Sequence, residues 1–308
     1  MRVLRAVAGW WVAPVPRARV AWVRVLVGTM ALLDALVFLR SPRDRSGTPE
    51  FYDPVPVASA LGLPAPTGAV PTLLLVGIAA GLVGVALGAR ARVPAAVQVV
   101  GGLLLSGCYA VWCLYGMSFG YVAHDHMAIM VAMLVLPTAG VCRYRDPDRS
   151  GGAGWALRMV QVFTVLTYTG SVLAKAVLND WDLVRWGNSG TLVWAFLRRP
   201  NPVNVHLVDQ ALLLRASQWG AMALELLAPA VFLVREHRRW LVVLFFVGFH
   251  LSTFVLLGIH FLPTVVCWSA FLPWERYAAW LRHRRTTRTS ARRSRGRSVR
   301  RDRARARR

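Results

Sequence analysis

The chain has 308 residues, 56% of them hydrophobic, with a mean hydropathy of +0.46 and a formal net charge of +23. Soluble domains are about 45–50% apolar even when glycine is counted, and here 25 glycines come on top, which excludes an ordinary water-soluble globule. The charge is concentrated at one end: residues 282–308 hold 14 arginines against one acid, Asp302, a local +13 of the total +23.

In chain order, Arg2 and Arg5 precede a short apolar run, as in a signal peptide. Trp10, Trp11, Pro14 and Pro16 fit an interfacial segment better, so residues 1–19 are read as one. The apolar residues then come in blocks of about 20, enough at about 1.5 Å per residue to cross a hydrocarbon core of roughly 30 Å. The blocks are Val20–Leu39, Ala69–Ala89, Val93–Met117, His124–Cys142, Trp155–Leu178, Gln210–Val234 and Trp240–Ile259. A shorter eighth, Phe261–Trp280, is interrupted by Pro263, Pro273 and Glu275. The predicted fold is an all-α polytopic transmembrane bundle of eight segments over residues 20–281. Between the spans, residues 42–68 are rich in Pro and Gly and read as an irregular cap. Residues 179–208 carry Trp181, Trp186 and Trp194 and read as a segment lying at the interface.

Arginines mark one side. Arg17 and Arg19, Arg90 and Arg92, Arg143, Arg145 and Arg149, and Arg235, Arg238 and Arg239 occupy alternate joints, and the basic tail joins them when the count is eight. That side is expected to be cytoplasmic, with both termini in the cytoplasm of a cell-membrane protein. Arg185, Arg198 and Arg199 in the loop after the fifth span run against the pattern. The tail, 282–308, is too polar and too charged to build a core and is read as disordered and cytoplasmic. It is expected to touch anionic lipid; with no aromatic residues interleaved it offers nothing for specific nucleic-acid recognition.

Ionisable groups at membrane depth cost roughly 2.5–3.5 kcal/mol each, so the few present are the first candidates for function. They are Arg24, Asp34, His124, Asp125, His126, Lys175, Arg215, Glu225, His250 and His260. Lys175 stands apart because the other 36 of the 37 basic residues are arginine. Lysine can be deprotonated where arginine cannot, which makes Lys175 a candidate general base; the competing reading is a lysine snorkelling to the headgroups. His124 and His126, at i and i+2, point about 200° apart on a helix and do not share a metal ion there. They read as cavity-lining groups or as part of an interfacial helix cap, with Asp125 at the helix N-terminus. Glu225 and His250 lie mid-span and read either as cavity groups or as helix-to-helix pairs. Gly81, Gly84, Gly101 and Gly102 read as close-packing glycines. Cys108, Cys113, Cys142 and Cys267 lie in apolar stretches without C-x-x-C spacing and read as small buried residues.

Taken in order, several weak motifs resemble the horizontally transferred transmembrane (HTTM) family, related to the membrane domain of vitamin K-dependent γ-carboxylase. They are Arg24 to Asp34, Tyr52-Asp-Pro, Ala86-Leu-Gly88-Ala-Arg90-Ala-Arg92, His124-Asp-His126 leading to Leu136-Pro137, Tyr168-x-x-Ser171-x-x-x-Lys175 followed by Trp181, Glu225-Leu-Leu-Ala-Pro229, and Gly248-Phe-His250. Together they run from about residue 20 to 274. The resemblance implies that Lys175 deprotonates a reduced vitamin K or related quinol, with O2 and CO2 as co-substrates if a carboxylation follows. It implies His126 and His250 beside Lys175 as catalytic groups, and His124, Asp125, Trp181, Glu225 and His260 around the substrate. It also implies an active site on the non-cytoplasmic side and a secreted protein or peptide as acceptor. The γ-carboxylase adds a large non-membrane domain, where this sequence has its basic tail, and the glycine expected soon after Trp181 is only loosely matched by Gly187. Quinone chemistry is therefore the firmer expectation and carboxylation the weaker one. The alternative is a non-catalytic membrane module that assembles with a partner or binds a lipophilic small molecule.

Overall fold

A computed structural model describes residues 2–120 and 124–284. The predicted tail lies outside the described residues from position 285 onward. The chain divides into two compact units, Met1–Leu272 and Pro273–Arg308.

The first unit is helical. Its amphipathic opening helix α1 (Arg2–Trp11) sets Trp10 edge-on to Phe232, with ring centroids 5.5 Å apart, and Trp11 against Trp155 at 5.8 Å. A two-residue strand, β1 (Val15–Pro16), pairs antiparallel with β2 (Arg149–Ser150). Helix α2 (Arg17–Leu33) follows and is the axis of the unit. Val20, Ala21, Val23, Val27 and Ala31 are fully enclosed, because their small or β-branched side chains let neighbours pack on several faces. The helix widens into a π turn, Asp34–Phe38, a distortion that tends to accompany functional sites. Two short helices, α3 (Ser41–Asp44) and α4 (Pro56–Ala60), belong to the predicted cap. The cap is tied down where Asp53 N–H donates to Ser118 O at 2.9 Å and Val55 N–H to Ser118 Oγ at 3.1 Å.

Helices α5 (Val70–Gly88) and α6 (Ala95–Met117) form a tight hairpin. A Cβ on Gly81 would lie 2.5 Å from Leu105 N, and one on Gly84 would lie 2.9 Å from Gly101 Cα, so these glycines do bring two backbones together. Next comes a 3-10 turn (His124–His126), helix α7 (Met127–Val135) and a second 3-10 turn (Leu136–Ala139) that Pro137 imposes. The carbonyls released there are claimed by Arg24. Its guanidinium donates to Leu136 O at 2.6 and 3.1 Å, to Gly140 O at 2.8 Å and to Gln98 Oε1 at 3.3 Å. Arg24, a functional candidate by position, is thus the clamp that satisfies a broken helix end.

Helix α8 (Gly151–Val177) starts on a Ser150 cap whose side chain accepts the Ala153 N–H. Helices α9 (Leu183–Gly187) and α10 (Thr191–Arg198) follow, and α11 (Ala211–Leu227) passes through Pro229 into a 3-10 stretch, Ala228–Leu233. Helix α12 (Arg239–Leu257) stops at Gly258, which takes a left-handed conformation at φ 66°. Helix α13 (Leu262–Cys267) and a 3-10 turn (Trp268–Phe271) complete the unit. In the second unit the described part is a helix over residues 274–284.

Six of the eight predicted segments are long and apolar enough to cross a membrane: Arg17–Asp44, Val70–Gly88, Ala95–Met117, Gly151–Val177, Ala211–Leu233 and Glu236–Leu257. The other two are short, His124–Ala139 and Leu262–Phe271. The eighth ends early because Pro273 forces Leu272 into an extended conformation, at φ −99° and ψ 140°, so the predicted Phe261–Trp280 run divides between the two units.

Contacts define two ends of the first unit. At one end the β1–β2 pair, the Arg143 donation to Arg90 O and the Arg19–Glu236 ion pair gather the arginine-rich joints. At the other, Trp112 Nε1 donates to Leu39 O and the Phe38 ring lies 4.1 Å from His260.

Candidate functional site

Tyr168, Ser171 and Lys175 sit at i, i+3 and i+7 on α8, which places them on one helix face. Lys175 Nζ donates to Ser171 Oγ at 2.7 Å and to the Glu225 carboxylate on α11, and Ser171 Oγ donates to the other carboxylate oxygen at 3.2 Å. The three side chains form a closed, internally neutral cluster. The Lys175 and Glu225 side chains are only 16% and 12% exposed, so removing either charge would leave its partner poorly solvated. The Trp186 ring of α9 covers the ammonium, with Nζ 5.0 Å from its centroid.

Gln218 of α11 holds α9 in that position. Its Nε2 donates to the carbonyls of Gly187 (3.1 Å) and Ser189 (3.0 Å), and its Oε1 accepts the Leu192 N–H at 2.7 Å. At 4% exposure, one amide therefore seats the α9–α10 segment over the lysine.

A second chain of hydrogen bonds lies one turn nearer the arginine-rich end. Trp268 Nε1 can only donate, so the Tyr168 hydroxyl accepts it at 2.8 Å, and the same hydroxyl makes a second hydrogen bond with His250 Nε2 at 2.6 Å. The other ring nitrogen of His250, Nδ1, is buried without a hydrogen-bond partner among the described residues. Tyr168, His250 and Trp268 are all buried.

These groups border a cavity of about 500 Å³. Lys175, Glu225, Ser171, Gln218, Tyr168 and His250 are among its polar groups, and Leu192, Phe196, Leu224, Phe249 and Leu256 help make most of its surface apolar. Its volume falls within the range of small-molecule sites, roughly 300–1,000 Å³, and its lining carries more polar side chains than most such sites.

His126 does not join Lys175. It is 4% exposed and held on both sides: Nδ1 lies 3.1 Å from Asp125 Oδ1, and Nε2 lies 3.0 Å from Asp34 Oδ2. Tyr109 also donates to Asp34 Oδ2 at 3.0 Å. The separation of His126 from Lys175 follows from the 3-10 turn at 124–126, where neighbouring side chains diverge. His126, Asp125 and His260 line a second cavity of about 820 Å³, which shares His124, Ile259 and Phe261 with the first. Among the described residues, no three His, Cys, Asp or Glu side chains gather in metal-binding geometry.

Of the predicted site residues, the structure therefore brings Lys175, Glu225, His250 and His124 to one cavity, and Asp125, His126, His260 and again His124 to the other. Trp181 borders neither. It is 71% exposed, on a left-handed backbone (φ 65°) just past the end of α8. Sequence reasoning missed Gln218 and Trp268, whose roles come from long-range partners, and it left Asp34 without a partner. Ser171 was within reach, since its spacing from Lys175 is one helical turn. No protein-family model matches the chain, and neither do any of the curated proteins or solved structures compared with it.

Proposed function

We propose that this chain is an integral membrane protein related to the HTTM and γ-carboxylase-like proteins, in which Lys175 acts as a base on a lipid-soluble quinol. The observation that carries the reading is the Lys175–Ser171–Glu225 cluster on the wall of a cavity that is otherwise mostly apolar. A fused aromatic ring bearing hydroxyls matches that lining: apolar side chains for its faces, hydrogen-bonding groups for one edge. A bound quinol supplies a weakly acidic hydroxyl. Lys175 acts from its neutral amine, reached when its ammonium gives a proton to the paired Glu225 carboxylate; Nζ then takes the quinol proton, leaving the quinol anion beside an ammonium held by Ser171 and the protonated Glu225. Trp186 shields the pair from water, and the Tyr168–His250 pair offers a second hydrogen-bonding group on the cavity wall.

In this reading the two short segments, His124–Ala139 and Leu262–Phe271, also cross the membrane, giving eight crossings. Both termini and the arginine-rich joints then face the cytoplasm, Lys175 lies toward the opposite side, and the basic tail meets anionic lipid. CO2 and O2 are the co-substrates if the quinol chemistry drives a carboxylation, and the acceptor is a secreted protein or peptide.

The alternative, a non-catalytic module that binds a lipophilic molecule, draws on the same pair, because a lysine already matched by a carboxylate is also a sound structural device. The test is quinol consumption and quinol-dependent incorporation of labelled CO2 by purified protein, wild type against Lys175→Ala. Quinol loss that depends on Lys175 supports the base, and label incorporation supports carboxylation. Binding of quinol without any turnover supports the non-catalytic module.

A further inference from the structure

We infer that the Lys175 cavity opens sideways to the bilayer between α11 and α12, and that this opening seats the hydrocarbon chain of an uncharged amphiphile whose hydroxyl or carbonyl head lies at Lys175 and Glu225. The inference rests on the proposal above only in taking the cavity as the site of a membrane-soluble ligand.

Helix α11 rests on α8 and α10, and α12 on α10 and α13, while α11 and α12 pack only marginally on each other. Both nevertheless line the cavity, through Gly220 and Ala221 on one side and Phe249, Thr253 and Leu256 on the other. In membrane helices small residues normally mark close approach, as Gly81 and Gly84 do between α5 and α6. Gly220 is the reverse case: a Cβ added there meets nothing within 4 Å. Gly107, Gly170 and Gly248 are equally free of neighbours, but of these four only Gly220 lines the cavity, so there the open space adjoins it. Around that space the outward residues are those of a lipid-facing belt, with Leu212, Leu226, Leu251 and Phe254 all more than half exposed.

The head chemistry follows from charge. Lys175 and Glu225 neutralise each other, Ser171 bonds both, and Gln218 is fully occupied by backbone groups. An ionised head such as a phosphate would enter a low-dielectric space with no unmatched cation to meet it, which is strongly unfavourable. A neutral hydroxyl or carbonyl needs only a hydrogen bond.

The experiment places the full chain in phosphatidylcholine nanodiscs with an eighteen-carbon primary alcohol carrying a mid-chain diazirine, and maps the photolabelled residues by mass spectrometry. The expected result is labelling concentrated on residues 217–224 and 249–256, well above the lipid-facing surface of α5. Gly220→Leu should lower the α11–α12 labelling about tenfold while the α5 background holds, since the added side chain fills the space. The phosphate monoester of the same alcohol should label the opening about tenfold less than the alcohol does. Ala221→Leu serves as a second block, and Gly220→Ala, which meets no neighbour, should elute and melt as wild type. Uniform labelling of all lipid-facing helices, indifference to both blocking substitutions, or equal labelling by the phosphate ester would each overturn the inference. The probe is not a quinol, so full quinol turnover in Lys175→Arg together with α11–α12 labelling that Gly220→Leu still blocks would sink the base and leave the opening standing.

Discussion

Glu225→Leu is the most informative perturbation of the site's stability. In the folded protein Lys175 has three neighbours that favour its charge: the Glu225 carboxylate, Ser171 Oγ at 2.7 Å and the Trp186 ring at 5.0 Å. The substitution removes the only full negative charge among them. Breaking a fully buried ion pair by deleting one partner costs roughly 3–5 kcal/mol. With 12–16% of these side chains exposed and two weaker partners remaining, about 2–3 kcal/mol is the expected loss. The double variant Glu225→Leu with Lys175→Leu removes both charges and should recover about 1 kcal/mol or more of that loss, because no unpaired ion is left behind. Equilibrium unfolding in mixed micelles, followed by tryptophan emission, measures Glu225→Leu, the Lys175→Leu single and the double variant against wild type. A loss below about 0.5 kcal/mol for Glu225→Leu would place it among ordinary surface substitutions, and a double variant as costly as the sum of its singles would show uncoupled residues. Either result would refute the closed-cluster description.

Three further outcomes follow from the packing and can be read by the same unfolding titration. Arg24→Leu should cost about 2–4 kcal/mol, since it leaves the Leu136 and Gly140 carbonyls without their donor. Tyr168→Phe strips the partner from both Trp268 Nε1 and His250 Nε2 and should cost about 1–3 kcal/mol. Gly81→Leu should cost about 2 kcal/mol or more, because its side chain would grow into the α6 backbone, while Gly220→Ala stays within about 0.5 kcal/mol.

Much of the architecture was legible because hydropathy is additive along a helix. Six helices long and apolar enough to cross a membrane lie where the apolar blocks lie, and the Gly81 and Gly84 packing sites follow from residue size alone. The eighth segment was legible as the shorter one from Pro263, Pro273 and Glu275, but the fourth was not separable from a full span, since Pro137 cuts a helix whose composition stays apolar as far as Cys142. At the site, the lysine announced itself by its singularity, and Ser171 lies one helical turn from it. Glu225 was legible as a mid-span acid, yet nothing local tied it to α8. His126 shows the limit most clearly. Its neighbours in sequence imply a shared outer end with Lys175, but the direction of a side chain on a 3-10 turn depends on partners 92 residues away, here Asp34. Gln218 and Trp268 carry no local signal at all, because a glutamine that seats a loop and a tryptophan that bonds a tyrosine look the same in sequence as any others.

The central claim is that Lys175 is the base. Quinol turnover by purified protein in nanodiscs, with wild type compared against Lys175→Ala and Lys175→Arg, tests it most directly. Both substitutions should lower turnover at least about 100-fold, the lower bound for loss of a general base, since arginine keeps the charge but cannot give up its proton at useful pH. Full turnover in a folded Lys175→Arg protein would contradict the claim and leave Lys175 as one half of a structural ion pair.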